Sequence, residues 1–294
     1  FGADFVDTNT VVINLINSNA PLVFDATMLG AAEVYAAANQ GCIISPFILA
    51  GAMSPVTAAG TLAQLLAEAM AGSDTGKIDI RRETVATARQ AVRDKWQGIR
   101  DNARTADPIH PAWLAQCVGE HLGDDAILVN EMGVVPQHAG INQPGRYFGP
   151  SPAGGLGWGL GAALGAKLAA PDDLIIATIG DGSYFFGNPM AAHYCGRAYD
   201  LPILYIVVNN HGWGAVRRAT KAMYPDGRAL GGNDIPLSRL DPAPDYEQII
   251  AACGGYGERV TDPDKLQDAL ARAVKMVREE RRQVLLNVVV SEIV

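Results

Sequence analysis

Asp181 and Asn210 are the residues whose types and spacing suggest chemistry. Asp181 stands in Gly180-Asp181-Gly182-Ser183 and Asn210 in Asn209-Asn210-His211-Gly212, with residues 183–208 between Gly182 and Asn209. Asp181 offers a hard anionic oxygen and Asn210 a neutral amide oxygen. The carbonyl of Gly212 could be a third ligand. Oxygens of these three kinds suit Mg²⁺ or Ca²⁺, with positions left for phosphate and water. Gly180 and Gly182 let the main chain turn sharply and approach a ligand closely. The N–H groups of Gly182 and Ser183, where a helix would start, would face a phosphate. Taken together, these residues describe a Mg²⁺–diphosphate site.

Two apolar runs must position them. Leu174 to Ile179 leads into the first group and Ile203 to Val208 into the second, with a helix-compatible segment between. Continuous apolar runs of this length read as strands buried on both faces, so the stretch is a parallel βαβ unit. Open parallel sheets bind ligands outside the carboxyl ends of their strands, where Asp181 and Asn210 both fall. A lone Gly-Asp-Gly would read as a turn with Asp capping a helix. The flanking strands and the second polar group argue against that simpler reading.

The surrounding chain fits the same architecture. Ala126 to Val129 reads as a strand ending in Asn130-Glu131-Met132-Gly133. Glu131 is a buried-carboxylate candidate, with a structural hydrogen-bonding role as its alternative. Ser151-Pro152-Ala153-Gly154-Gly155-Leu156-Gly157-Trp158-Gly159 leads into a helix from Leu160 to Ala169. Its glycines are a weak dinucleotide fingerprint, because Phe148-Gly149-Pro150 is a poor strand. Upstream, Arg81 to Arg104 reads as an exposed connector helix, and His110, before a helix opening at Pro111, as a capping or surface residue. Downstream, Trp213 to Arg218 begins a helix and Thr220 to Pro244 reads as loop. Tyr246 to Ala252 is a short helix, and Gly254 to Gly257 turns the chain. Asp262 caps a helix with Leu266, Leu270, Val274 and Val277 on one face. Val284 to Val290 closes the sheet.

Composition bounds the partners. The 294-residue chain is 49% hydrophobic, enough for a substantial core. Its net charge of -8 argues against nucleic acid as the main partner. Cys42, Cys117, Cys195 and Cys253 are scattered, which suggests neither a disulfide framework nor a zinc site and fits a reducing cytoplasm. No apolar run reaches membrane-spanning length. The chain begins at Phe1, which leaves room for a missing N-terminus.

Gly180-Asp181-Gly182, a spacer and Asn209-Asn210 resemble the cofactor motif of the thiamine diphosphate enzymes. Residues 105–294 resemble one diphosphate-binding domain of the acetolactate synthase and benzoylformate decarboxylase group. The resemblance implies a doubly wound α/β domain with a parallel sheet, binding thiamine diphosphate and Mg²⁺. Asp181, Asn210 and Gly212 would hold the metal, and Gly180, Gly182 and Ser183 the diphosphate. The Gly154 carbonyl would accept from the aminopyrimidine, and Leu156 would wedge beneath the cofactor. The segment after the first strand often contributes Ser or Thr hydroxyls in the family; Gly133 and Val134 leave only main-chain groups here. The implied activity is a C–C bond lyase or transferase acting on 2-keto acids, in a homo-oligomer. The family's activating glutamate sits on a separate pyrimidine-binding domain, which has no match in this chain and would come from another chain or a missing segment. The alternative is a non-catalytic fragment that keeps the cofactor grip.

Residues 1–72 read differently. Val11 to Leu15 is β-branched, Asn14 to Leu22 turn-rich, Thr27 to Ala38 helical, Cys42 to Pro46 strand-like and Thr57 to Ala71 helical, with Ser54 as cap and Pro55 at the first helical position. The order β-α-β-α matches part of a (β/α)₈ barrel. Ile16 to Asp25, Met28 to Gly30 and Ser45 to Thr57 resemble the trimethylamine methyltransferase family. That resemblance implies a corrinoid-dependent methyltransferase barrel, as a partial fragment with no catalytic residue carried over. The expected organisation is this fragment at 1–72, a linker and connector helix at 73–104, and the main domain at 105–294.

Overall fold

The computed structural model describes residues 13–18, 41–46, 75–141, 143–149, 155–232, 235 and 237–291. The chain divides into two compact units, Phe1–Ala86 and Thr87–Val294. In the first, β1 (Ile13–Ser18) pairs in parallel with β2 (Gly41–Pro46), from Ile13 opposite Gly41 to Ser18 opposite Pro46. Strand β1 thus runs through residues expected to turn. Its Leu15-Ile16 pair supplies the β-forming character that the flanking asparagines mask. The expected helices over 27–38 and 57–71 lie outside the described residues.

Helix α1 spans Thr75–Ala103, beginning before the expected Arg81. Val85 and Val92 are exposed on it, while Ile99 packs against the core of the second unit. Helix α2 (Pro111–Gly119) starts at His110, whose Nδ1 accepts from the Ala112 N–H at 3.0 Å, so this histidine caps the helix.

The second unit is built on a six-stranded, all-parallel sheet of β3 (Ala126–Asn130), β4 (Tyr147–Phe148), β5 (Leu174–Gly180), β6 (Leu204–Asn209), β7 (Tyr256–Val260) and β8 (Val284–Val289). The order across the sheet is β4-β3-β5-β6-β8-β7. Strand β8 therefore lies between β6 and β7, and β7 forms the edge. Two expectations are corrected here. Tyr256-Gly257 was read as a turn but opens β7, and Val284 to Val290 lies inside the sheet rather than closing it. The glycines around Tyr256 obscured the strand. Gly257 is needed there because a methyl group on it would lie 1.9 Å from the Glu247 carbonyl oxygen.

Alternate residues of each strand feed opposite layers, as the two-residue period of a strand requires. Leu128, Ile176, Ile206 and Leu286 join one core with α2 and α10 (Leu266–Glu279). Val129, Ile175, Ile179, Tyr205 and Val207 join the other, with α4 (Trp158–Ala169) and α9 (Tyr246–Ala252). The result is a sheet wound on both faces, with interior strands buried throughout. Helix α10 presents Leu266, Ala269, Leu270, Ala273 and Val277 to the sheet and is preceded by a 3₁₀ turn at Pro263–Lys265, capped by Asp262. No described helix is long and apolar enough to cross a membrane.

The remaining helices are short: α3 (Pro136–Ala139), α5 (Asp181–Phe186), α6 (Pro189–Ala198), α7 (Gly214–Met223) and α8 (Arg228–Gly232). Helices α7 and α8 occupy part of the segment expected to be loop from Thr220. Tyr224-Pro225-Asp226-Gly227 supplied that signal, but it marks only the break between them.

Candidate active site

Strands β5 and β6 are parallel neighbours, with Gly180 opposite Val208. Their carboxyl ends carry Asp181 and Asn210 into one cleft, together with Gly180, Gly182, Ser183 and Gly212. Asp181 is 2% exposed. Its Oδ1 accepts from the Gly182 N–H and its Oδ2 from the Gly212 N–H, both at 2.9 Å. Burial pushes its carboxyl up to about 6, although both main-chain bonds pull the other way. The Gly182 N–H, expected to face a phosphate, is thus engaged by Asp181 itself.

The two asparagines have different tasks. Asn209 is fully buried; its Nδ2 donates to Asn287 Oδ1 at 3.1 Å, and its Oδ1 accepts from the His211 N–H at 3.0 Å. It shapes the turn. Asn210 lines the cleft, and its Oδ1 is buried without a hydrogen-bond partner among the described residues. A buried carbonyl oxygen of this kind is costly unless something binds it. A hard cation is the partner that a neighbouring carboxylate would favour. The Gly212 carbonyl accepts from the Gly214 N–H at 2.9 Å and keeps a second lone pair. Carboxylate, amide oxygen and carbonyl therefore fit a magnesium ion with diphosphate.

The turn bearing Asn210 is held from behind. Trp213 N–H donates to the Ser238 carbonyl and Leu240 N–H to the His211 carbonyl. Arg217 Nη1 donates to Ser238 Oγ, which donates to the Ile235 carbonyl. The stretch read as loop thus buttresses the site.

Gly182 must be glycine for a reason its motif alone did not reveal. A methyl group there would lie 2.6 Å from Cε3 of Trp213, whose indole covers it. On the other wall, Met132 and Gly133 follow β3, whose exit is tied to β5 by Thr178 Oγ1 donating to Asn130 Oδ1 and Glu131 N–H donating to the Thr178 carbonyl. Gly133 has φ +97°, and a side chain on it would meet Val208. Met132, Trp213, Arg218 and Ser291 line the cleft but were not among the expected site residues. Trp213 and Arg218 were legible only as the start of a helix.

Glu131 is 4% exposed and accepts twice, from the Gly157 N–H on Oε1 and the Gly159 N–H on Oε2, each at 2.7 Å. Helix α4 has no cap of its own, since Gly157 precedes it with φ +80°. Glu131, just past the end of β3, therefore caps α4 and fixes the turn carrying Leu156, which is half-exposed and lines the cleft. Gly154 lies outside the described residues.

The family described as "Thiamine pyrophosphate enzyme, C-terminal TPP binding domain" matches residues 131–288, and "Trimethylamine methyltransferase (MTTB)" matches residues 1–83. The acetolactate synthase large subunit IlvG of Mycobacterium tuberculosis is 31% identical over 222 residues, covering 74% of this chain and 38% of that protein. Benzoylformate decarboxylase of Pseudomonas aeruginosa is 36% identical over 191 residues, covering 63% of this chain and 33% of that protein. Among solved structures, the thiamine diphosphate-dependent 4-hydroxybenzoylformate decarboxylase of Rhodococcus jostii RHA1 superposes with a TM-score of 0.54 at 28% identity, covering 63% of this chain and 33% of that one. The chain thus spans about a third of the length of these relatives. Because the cofactor-domain match covers more than half of the chain and includes both turns of the cleft, the chain belongs to the thiamine pyrophosphate enzymes, through their C-terminal cofactor-binding domain.

Proposed function

We propose that this chain holds the diphosphate end of thiamine diphosphate through Mg²⁺, as part of an enzyme that makes or breaks C–C bonds next to the carbonyl of 2-keto acids. The observation that carries the reading is the unpartnered, buried Asn210 Oδ1 in one cleft with Asp181 and Gly212. Asp181, Asn210 and the Gly212 carbonyl are the proposed metal ligands. Ser183 and the first residues of α7 border the diphosphate and Leu156 the aminopyrimidine; Gly154, the other candidate for that ring, lies outside the described residues. When bound, the cofactor supplies carbanion chemistry at a keto carbon. The relatives' names, acetolactate synthase and benzoylformate decarboxylase, support the 2-keto acid class.

The chain's own residues hold the cofactor without activating it. Besides Asp181, Glu131 is the buried carboxylate next to the cleft-lining Met132 and Gly133, and its oxygens are bound to the main-chain N–H groups of Gly157 and Gly159 at the start of α4. It is a positioning group, which favours an activating carboxylate supplied from outside this chain. Exposed apolar side chains on the two helices that follow β5 support a covering domain: Phe185 and Phe186 end α5, and Met190 and Tyr194 lie one turn apart on α6. The proposed partner is a pyrimidine-binding domain, in another chain or another segment, within a homo-oligomer.

Calorimetry with thiamine diphosphate, with and without Mg²⁺, tests the reading, followed by decarboxylation of pyruvate and benzoylformate by the chain alone. Weak magnesium-dependent binding without turnover is expected. Binding that ignores magnesium would refute the metal assignment, and robust turnover would refute the external carboxylate.

A further inference from the structure

Helix α7 opens onto the cleft with a charge arrangement that the metal site does not explain. Its first turn carries no acid, although the positive end of a helix dipole favours one. Two arginines follow instead, and they diverge. Arg217 is buried and bonded to Ser238 Oγ. Arg218 is exposed, lines the same cleft as Asp181 and Asn210, and has neither hydrogen bond nor ion pair among the described residues. A methyl group on Gly214 would lie 2.6 Å from Asn210 Nδ2 and 3.6 Å from Arg218 Nη1, so the amide and the guanidinium flank the same glycine.

The rest of the cleft makes this cation conspicuous. Met132 and Val208 are apolar, and Gly133 cannot take a side chain because Val208 fills that space. The lining after β3, Met132 and Gly133, therefore offers no polar side chain. An unpaired guanidinium near the positive end of a helix is electrostatically unfavourable, and an anion in the cleft would offset it. Its planar fork of donors suits phosphate and carboxylate alike.

We propose that Arg218 is the anion-recognition residue of this cleft, binding an anionic oxygen group held beside the metal. This rests on the cofactor reading above. The anion is either the terminal phosphate of the cofactor's diphosphate or the carboxylate of the 2-keto acid. Both present the same chemistry, and different ligands separate them.

The test uses the full chain, with Arg218→Gln, Arg218→Lys and Asp181→Asn as variants. Inorganic pyrophosphate with Mg²⁺ is titrated by calorimetry, and benzoylformate binding to the chain loaded with Mg²⁺ and thiamine diphosphate is followed by saturation-transfer NMR. Arg218 is exposed and unpaired, so thermal melts of its variants should overlay the wild type. If Arg218 reads phosphate, Arg218→Gln weakens pyrophosphate binding by about tenfold or more, and Arg218→Lys recovers part of it. If it reads the substrate, pyrophosphate binding holds while the benzoylformate signal is lost. Wild-type affinity for both ligands in Arg218→Gln overturns the proposal, while loss of pyrophosphate binding in Asp181→Asn would leave the cofactor reading standing. Failure of the wild type to bind magnesium pyrophosphate overturns both.

Discussion

The cap that Glu131 provides to α4 can be removed with one atom exchanged. Glu131→Gln keeps the shape but replaces one carboxylate oxygen by an NH₂ group. The amide can still accept from either Gly157 or Gly159, both now bonded at 2.7 Å, and must present a donor to the other. A hydrogen bond to a charged group contributes about 1.5–3 kcal/mol, and a buried donor left unpaired costs about 1–3 kcal/mol. Glu131 is 4% exposed, so solvent does little to screen the loss. The expected destabilisation is about 2–4 kcal/mol, and Glu131→Ala, which abandons both N–H groups, should cost more. In a unit of this size each kcal/mol moves the melting temperature by about 2–4 °C, so Glu131→Gln should lower it by roughly 5–15 °C. All four tryptophans, Trp96, Trp113, Trp158 and Trp213, lie in the second unit, so their fluorescence reports its unfolding apart from the first. A melting temperature within about 1 °C of wild type would mean that these N–H groups do not depend on Glu131, and that the turn bearing Leu156 is not fixed by it.

Three further outcomes are expected. Gly182→Ala sets a methyl group against the Trp213 indole, so it should cost about 1–3 kcal/mol in thermal unfolding and impair magnesium-dependent cofactor binding in calorimetry. Asn210→Ala removes an unpartnered buried oxygen, so without metal it should change the melting temperature little or raise it, while the thermal shift produced by Mg²⁺ and thiamine diphosphate disappears. The folded-state value of Asp181, about 6, lies above the ordinary carboxylate value, so its contribution to metal-free stability is present below about pH 4 and lost as pH rises through 6. On the order of 3 kcal/mol is involved, and Asp181→Asn should flatten that slope in urea titrations across this range.

What could be read from the sequence followed from residue chemistry that acts locally. Long apolar runs announced β5 and β6, and the polar residues after them announced the cleft. Asp262 declared itself as a cap because it stands directly before a proline, whereas His110, also before a proline, could be read only as a cap or a surface residue. The edge strand β7 was hidden because Gly254, Gly255 and Gly257 are strong turn signals, and only packing against Ile250 and Glu247 shows why glycine is required there. Trp213 over Gly182 and Glu131 at the start of α4 join residues far apart in sequence, and no local period encodes such pairs. The difference between Asn209 and Asn210 was likewise out of reach, since it depends on Asn287 in another strand.

The position of β8 bears on how this protein must be made. The strand synthesised last in the sheet is not an edge but a divider, with β6 on one side and β7 on the other. While the chain is still growing, β6 and β7 have no partner between them, and each exposes a row of main-chain donors and acceptors. The cleft turn after β6 hangs on that unfinished strand, and Asn209 cannot find Asn287 until β8 has been made. Cofactor capture should therefore follow emergence of residues 284–289 from the ribosome, and a nascent chain stalled before them would be prone to pair with its neighbours.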